Sequence, residues 1–178
     1  MPHYPRHLSS FDYQGCHRYF PTFCTFERNS YFQEATSVEI ALEQILRAGT
    51  QHGFAILAHC FMPDHLHLLV EGDRENADLK VFLKSAKQYS GFYFKQKTRK
   101  NLWQRYGHER TLRESEDTRS FIKYMIENPI RAGLVKSPIE YSFWGSAIYS
   151  KEELIEYAYS APEPAKAGPY DRATQYTS

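Results

Sequence analysis

At 178 residues, 42% hydrophobic and 16% aromatic, the chain is long enough for one domain with a substantial core and hardly long enough for two. With no apolar run of 18 residues it has no candidate for a membrane-spanning helix, and the N-terminal MPHYPRHLSS lacks the apolar stretch of a secretory signal. The net charge of +1 points by itself to no polyanionic partner, and the three cysteines (Cys16, Cys24, Cys60) form no CxxC pair. A disulfide framework and a cysteine zinc site are therefore not expected, and a reducing cytoplasm suits the composition.

CHRYFPTFCTF (16–26) is aromatic and Thr-rich and predicts a strand, with Pro21 confining it to an edge or a bulge. SVEIALEQILRAG (37–49) sets Ile40, Leu42, Ile45 and Leu46 along a helical stripe that Gly49 can end. GFAILAHCFM (53–62) and HLHLLVE (65–71) predict two strands joined by a turn at Pro63 and Asp64. Residues 76–100 predict a long basic helix, and 101–113 a loop followed by a strand. Residues 115–128 predict a short helix, capped by Ser115 or Asp117 and limited by Pro129.

The resulting order, β-α-β-β-α-β-α, predicts an α+β fold. It is the ferredoxin-like split β-α-β plan, with a central antiparallel sheet, helices on one face and an extra C-terminal helix. Residues 1–160 read as one domain. Residues 161–178, rich in Pro, Ala and Gly, read as a flexible tail.

Charge is unevenly spread. Between Lys80 and Arg113 there are ten Lys or Arg and one acid, Glu109, so this segment carries +9 in a chain that carries +1. That is the pattern of a basic face able to meet a polyanion, although a solvated helix with lysines on its outer side would look the same.

HCFMPDHLHLLVEG (59–72) places His65 and His67 two residues apart. On a strand both imidazoles share one face, while Leu66 and Leu68 turn to the other. Two neutral imidazoles so placed can chelate one divalent ion, but a pair of polar residues on a solvent face is the plainer reading of an isolated HxH. In the last predicted helix Tyr124 and Asn128 are four residues apart and project from one side, with Ile122 and Ile126 on the other. If that helix packs on the sheet, phenol and amide stand over the histidines. His65, His67 and Asn128 could then hold a metal with Tyr124 facing the same pocket. A phenol can attack phosphorus when a cation offsets the developing charge, giving a phosphotyrosine ester that a second strand end can reverse without ATP. A half-buried aromatic at a helix–sheet interface is the plainer reading of Tyr124.

MPDHLHLLV, LWQRYGHERTLR and YMIENPIRAGLV together resemble the single-tyrosine HUH transposases, the IS200-like group, and most of all the REP-associated tyrosine transposases. The resemblance runs from about Tyr13 to Trp144 and keeps the family's motif order. It implies that His65 and His67 are the metal pair, that Tyr124 on the late helix is the nucleophile, and that Asn128 stands at the third metal ligand. It implies a Mg²⁺- or Mn²⁺-dependent enzyme that cleaves single-stranded DNA near hairpins, leaving a 5′-phosphotyrosine and a free 3′-OH, and that works as a monomer or homodimer. Lys84, Lys87, Lys95, Lys97, Arg99, Lys100 and Arg105 are then expected to contact DNA, with Arg131 reaching a phosphate near the tyrosine. Phe92, Tyr93, Trp103 and Tyr106 are stacking candidates, Trp103 being better suited to the core. Three other readings use the same residues: a structured-DNA or RNA binding module that never cuts, a replication nickase, and a metal hydrolase with a water nucleophile.

Overall fold

Apolar alternation builds the sheet, and one irregularity in it decides which side chains face where. In the computed structural model, which describes residues 16–105, 118–160 and the backbone strand 108–111, five strands form an antiparallel sheet. They are β1 (Arg18–Cys24), β2 (Phe54–Met62), β3 (His65–Gly72), β4 (His108–Thr111) and the two-residue β5 (Trp144–Gly145). Their order is β4-β1-β3-β2-β5, and the first four follow the ferredoxin-like plan. The expected tail (161–178), Tyr106 and the capping candidates Ser115 and Asp117 lie outside the described residues.

Leu66, Leu68 and Val70 of β3 point into one core, shared with Phe23 of β1 and Phe54, Ile56 and Phe61 of β2. Ala58, Cys60 and Met62 of β2 and Leu69 of β3 belong to a second core on the opposite face. The β2–β3 register shifts between Ile56 and Ala58, so that Leu57 is the extra residue of a bulge. A one-residue offset exchanges the two faces of a strand, which is how both Ile56 and Phe61 reach the first core.

That first core is covered by α1 (Ala35–His52) and α2 (Leu79–Thr98). The buried stripe of α1 runs through Val38, Ala41, Ile45 and Ala48, with Ile40, Leu42 and Leu46 at its margins, so only Ile45 of the expected stripe lies at its centre. Small residues let the helix approach the sheet closely. A Cβ on Gly49 would stand 2.7 Å from the Phe54 carbonyl oxygen. The expectation that Gly49 ends the helix is corrected here: the helix continues to His52, and Gly53 ends it in the left-handed region at φ 73°. Asp78 caps α2 by accepting from the Lys80 and Val81 amides, a cap worth about 1 kcal/mol.

The second face is covered by α3 (Thr118–Arg131) and α4 (Lys151–Tyr159). The helix that carries Tyr124 thus packs opposite α1 and α2, and it is not the last element, since α4 follows. Nothing in the sequence reading anticipated α4, which opens on a reciprocal capping box between Ser150 and Glu153. Pro129 does not limit α3 as expected. The helix runs two residues past it, to Arg131, with Pro129 buried.

Pro21 also departs from its predicted place. β1 is an interior strand, paired with β3 on one side and β4 on the other. The β1–β3 pairing is interrupted at Phe20 and Pro21, while Pro21 keeps its place opposite Glu109 of β4. The proline ring removes an amide donor, and the break in one ladder is the consequence.

Candidate active site

Because Leu66, Leu68 and Val70 are claimed by the first core, His65 and His67 must face the side of α3. Their rings are 4.7 Å apart between centroids, nearly perpendicular, with the two Nε2 atoms 3.2 Å apart. Each Nδ1 has a separate partner. His65 Nδ1 lies 2.6 Å from Asp64 Oδ1, and His67 Nδ1 lies 2.9 Å from Thr22 Oγ1. An ionised carboxylate only accepts, so the proton of His65 sits on Nδ1 and its Nε2 offers a lone pair. Thr22 can donate or accept, and it is the direct cross-strand partner of His67. The two Nε2 atoms face each other, and when His67 donates from Nδ1 to Thr22 both offer lone pairs to a shared ligand, the second-partner arrangement typical of metal-binding histidines.

His67 is buried, with Phe20 stacked on it at 5.5 Å. Burial pushes its pKa down to about 3, and the positive charges of Arg28 and Arg131, with that of His65 whenever its ring is protonated, push the same way. It is neutral across the physiological range, the state in which an imidazole can ligate.

The second core draws in α3 through Ile122, Met125, Ile126 and Pro129, the spacing of one helical face. Tyr124, next to Met125, is left at the rim of that contact. Its ring lies 5.7 Å from His67 and 6.1 Å from Phe20, edge-on to both, and it is 42% exposed. It therefore packs against His67 and remains open to an incoming ligand. Arg131 lies over the same ring, 4.5 Å from its centroid, and donates from Nη2 to the Tyr124 carbonyl at 2.7 Å.

Asn128 follows Tyr124 by one helical turn, and its Nδ2 is buried without a hydrogen-bond partner. Buried polar atoms are nearly always satisfied, so an orphaned amide group on this face marks a place for a missing partner. Amide nitrogen and oxygen are interchangeable by rotation, and the oxygen could serve as a ligand. Among the described residues no three His, Cys, Asp or Glu gather as a metal site. Among the described residues, the amide oxygen of Asn128 is available as a neutral third ligand, and with two imidazoles it makes a donor set that fits a divalent ion.

The expected DNA-contacting residues do not form one surface. A groove of about 840 Å³ runs between α2 and residues 101–105, and Lys80, Lys84, Lys87, Lys95 and Arg105 line it together with the exposed Phe92. Lys87 donates from Nζ to the Gln104 carbonyl at 2.8 Å and ties the two walls together. Lys97, Arg99 and Lys100 lie outside the lining of that groove, and Lys100 Nζ stands 5.7 Å from the Tyr31 ring centroid. Arg131 belongs to Tyr124 instead. Trp103 packs edge-on against Phe23 and donates from Nε1 to Ser90 Oγ at 2.8 Å, a place in the core margin as expected. The sequence reading missed Thr22, Asp64, Arg28 and Phe20. Only Asp64, adjacent to His65, stood where a sequence signal could have singled it out.

A family model described as "Transposase IS200 like" matches residues 16–126. Among solved structures, a REP-associated tyrosine transposase bound to a REP hairpin is similar with a TM-score of 0.66 and 23% identity, over 81% of this chain and 82% of that one. A Deinococcus radiodurans R1 protein described as a transposase is similar with a TM-score of 0.48 and 22% identity, over 69% of this chain and 96% of that one. No curated protein matches this sequence.

Proposed function

Since this chain belongs to the IS200-like transposase family, we propose that it cleaves and rejoins single-stranded DNA beside a hairpin through a covalent bond to Tyr124. The observation that carries this reading is the contact of an exposed phenol with the buried member of the histidine pair, Tyr124 to His67 at 5.7 Å. The solved structure of similar fold was bound to a REP hairpin, and hairpin DNA is the ligand proposed for this chain.

In this reading His65 and His67 hold Mg²⁺ or Mn²⁺ through Nε2 and Asn128 through its amide oxygen. Two imidazoles favour Mn²⁺ on softness, while Mg²⁺ prefers an all-oxygen set. Bound there, the ion would polarise the phosphate and offset charge developing on its oxygens. Tyr124 supplies the nucleophile. Its oxygen forms the new bond to phosphorus and gives its proton to solvent, the bond from phosphorus to the 3′ oxygen breaks, and that oxygen takes up a proton. A 5′-phosphotyrosine and a free 3′-OH remain, and attack by another 3′-OH reverses the step and releases Tyr124. Arg131 fixes the orientation of the ring. The groove along α2 offers lysines to backbone phosphates and Phe92 to an unpaired base.

The test is incubation of the full chain with Mn²⁺ and single-stranded oligonucleotides taken from the flanks of its own gene, followed by a denaturing gel. A DNA-linked protein band is expected with the wild type and none with Tyr124→Phe, which should bind a hairpin as before. Adduct from Tyr124→Phe at the wild-type level, or cleavage to 5′-phosphate ends without adduct, overturns the reading.

A further inference from the structure

We infer that Asp64, held in place by Arg28, is a positioning residue that acts through His65 and sets the affinity of the histidine pair for its cation; this rests on the reading that the pair holds one. The two carboxylate oxygens of Asp64 are divided between two partners. Oδ1 faces His65 Nδ1 at 2.6 Å, and Oδ2 faces Arg28 Nε at 2.8 Å. Arg28 is anchored a second time, by donation from Nη1 to Cys24 Sγ at 2.8 Å, and Cys24 is the cross-strand partner of His65. The chain Cys24–Arg28–Asp64–His65 therefore begins and ends on adjacent positions of the sheet.

Two features show that this geometry is held rather than incidental. The backbone of Asp64 is tied down separately from its side chain, since its carbonyl accepts both from the Thr25 amide at 3.0 Å and from Thr25 Oγ1 at 2.9 Å, with Thr25 fully buried. The neighbouring Pro63 carbonyl accepts from the Phe32 amide at 3.0 Å, a second backbone tie on the β2–β3 turn. On the other side, Glu27 and Arg28 both occupy the left-handed region, at φ 53° and 56°, a conformation that non-glycine residues adopt at a cost. The turn so formed is what brings the Arg28 guanidinium back onto Cys24 and Asp64.

The physical consequence follows from proton placement. A carboxylate on Nδ1 fixes the Nδ1–H tautomer, aims the ring, and leaves Nε2 as a lone pair directed at His67. Without Asp64 the His65 ring can turn, and its proton is free to sit on Nε2, where it blocks a cation. Arg28 keeps the second carboxylate oxygen occupied so that the first stays on His65. The support it gives the cation site is thus expected to pass through Asp64, because its own positive charge beside His67 can only oppose a cation.

Two measurements on the full chain without DNA test this. Nitrogen-15 spectra of the imidazoles should show His65 protonated on Nδ1 in the wild type and shifted toward Nε2 protonation in Asp64→Ala, while His67 keeps its signal. Calorimetric titration with Mn²⁺ should show binding weakened about 10- to 100-fold by Asp64→Ala. Arg28→Ala should weaken it several-fold in the wild-type background and not at all in the Asp64→Ala background. Circular dichroism melts of each variant establish that it is folded. An unchanged His65 tautomer, Mn²⁺ affinity within threefold of wild type in Asp64→Ala, or additive losses in the double variant overturns the inference. If His65→Ala/His67→Ala binds Mn²⁺ as the wild type does, the cation site itself is wrong, and the relay falls with it.

Discussion

The guanidinium of Arg131 covers the ring of Tyr124 at 4.5 Å, and the same group donates to the Tyr124 carbonyl at 2.7 Å. One side chain thus grips the proposed nucleophile at both its ring and its backbone, across two helical turns. A cation over an exposed ring contributes about 0.5–1 kcal/mol, too little to decide whether α3 folds but enough to bias the orientation of one phenol. Misplacing a reacting group by about 1 Å can cost on the order of 100-fold in rate. Arg131→Ala is expected to lower the single-turnover rate of adduct formation at least tenfold at saturating DNA, with hairpin affinity little changed. Weaker hairpin binding with an unchanged saturated rate would instead make Arg131 a phosphate contact.

The histidine pair makes a separate prediction. His65→Ala/His67→Ala should abolish adduct formation, spare hairpin binding, and remove any rise in melting temperature that Mn²⁺ gives the wild type, because a ligand stabilises only a state that binds it. Persistent cutting by the double variant with Mn²⁺ present would show that the ion is held elsewhere.

The groove along α2 predicts a salt effect. Lys84 and Lys95 both line it and are exposed. Each lost phosphate contact lowers the slope of log affinity against log salt by about 0.9 for duplex DNA. Lys84→Gln/Lys95→Gln should therefore reduce that slope by about 2 for hairpin binding, whereas Lys97→Gln, outside the groove, should change it less. Equal effects of the two sets would mean that the hairpin lies elsewhere on the basic helix.

A pH prediction rests on His59. This ring is buried on β2, beside Gly145 of the edge strand β5, and its Nδ1 has no hydrogen-bond partner. Burial, with Lys151 adding, pushes its pKa down to about 4 from 6.5. Between these values the unfolded chain takes up a proton that the folded chain refuses, so stability is full above pH 6.5 and falls on acidification toward pH 4. One such group contributes a slope of about 1.4 kcal/mol per pH unit within that window. His67, pushed down to about 3, acts in the same direction. Urea unfolding at pH 7, 6 and 5 should show a shallower acid loss for His59→Gln than for wild type. Parallel curves would mean that His59 is protonated inside the fold.

Gly49 offers a packing test. Its missing side chain makes room for the Phe54 carbonyl, 2.7 Å from where a Cβ would stand. Gly49→Val forces backbone apart in the contact of α1 with β2 and is expected to cost about 1–3 kcal/mol, read as a lower denaturation midpoint. A midpoint equal to that of wild type would show that α1 can shift without loss.

The element order and the placement of two imidazoles on one strand face are local matters. They depend on hydrophobic period and on the alternation of side chains along a strand, and residues 53–72 display both without ambiguity. The helical spacing of Tyr124 and Asn128 is equally local. What the linear chain left open depended on contacts between distant segments. Thr22 became the partner of His67 only through the β1–β3 register, and Arg28 reached Asp64 only through a left-handed turn. Pro21 was assigned to an edge or a bulge because a missing amide is cheapest there, yet tertiary pairing placed it in an interior strand with a gap in one ladder. Gly49 looked like a helix end, but the close approach of α1 to β2 reserved it for contact and left Gly53 to stop the helix. The basic run from Lys80 to Arg113 was visible as charge, but which lysines share a groove and which face away was settled by how α2 packs beside residues 101–105. Period and composition fix what each segment is; register and packing fix which segments meet, because those free energies belong to pairs of residues that lie far apart in the chain.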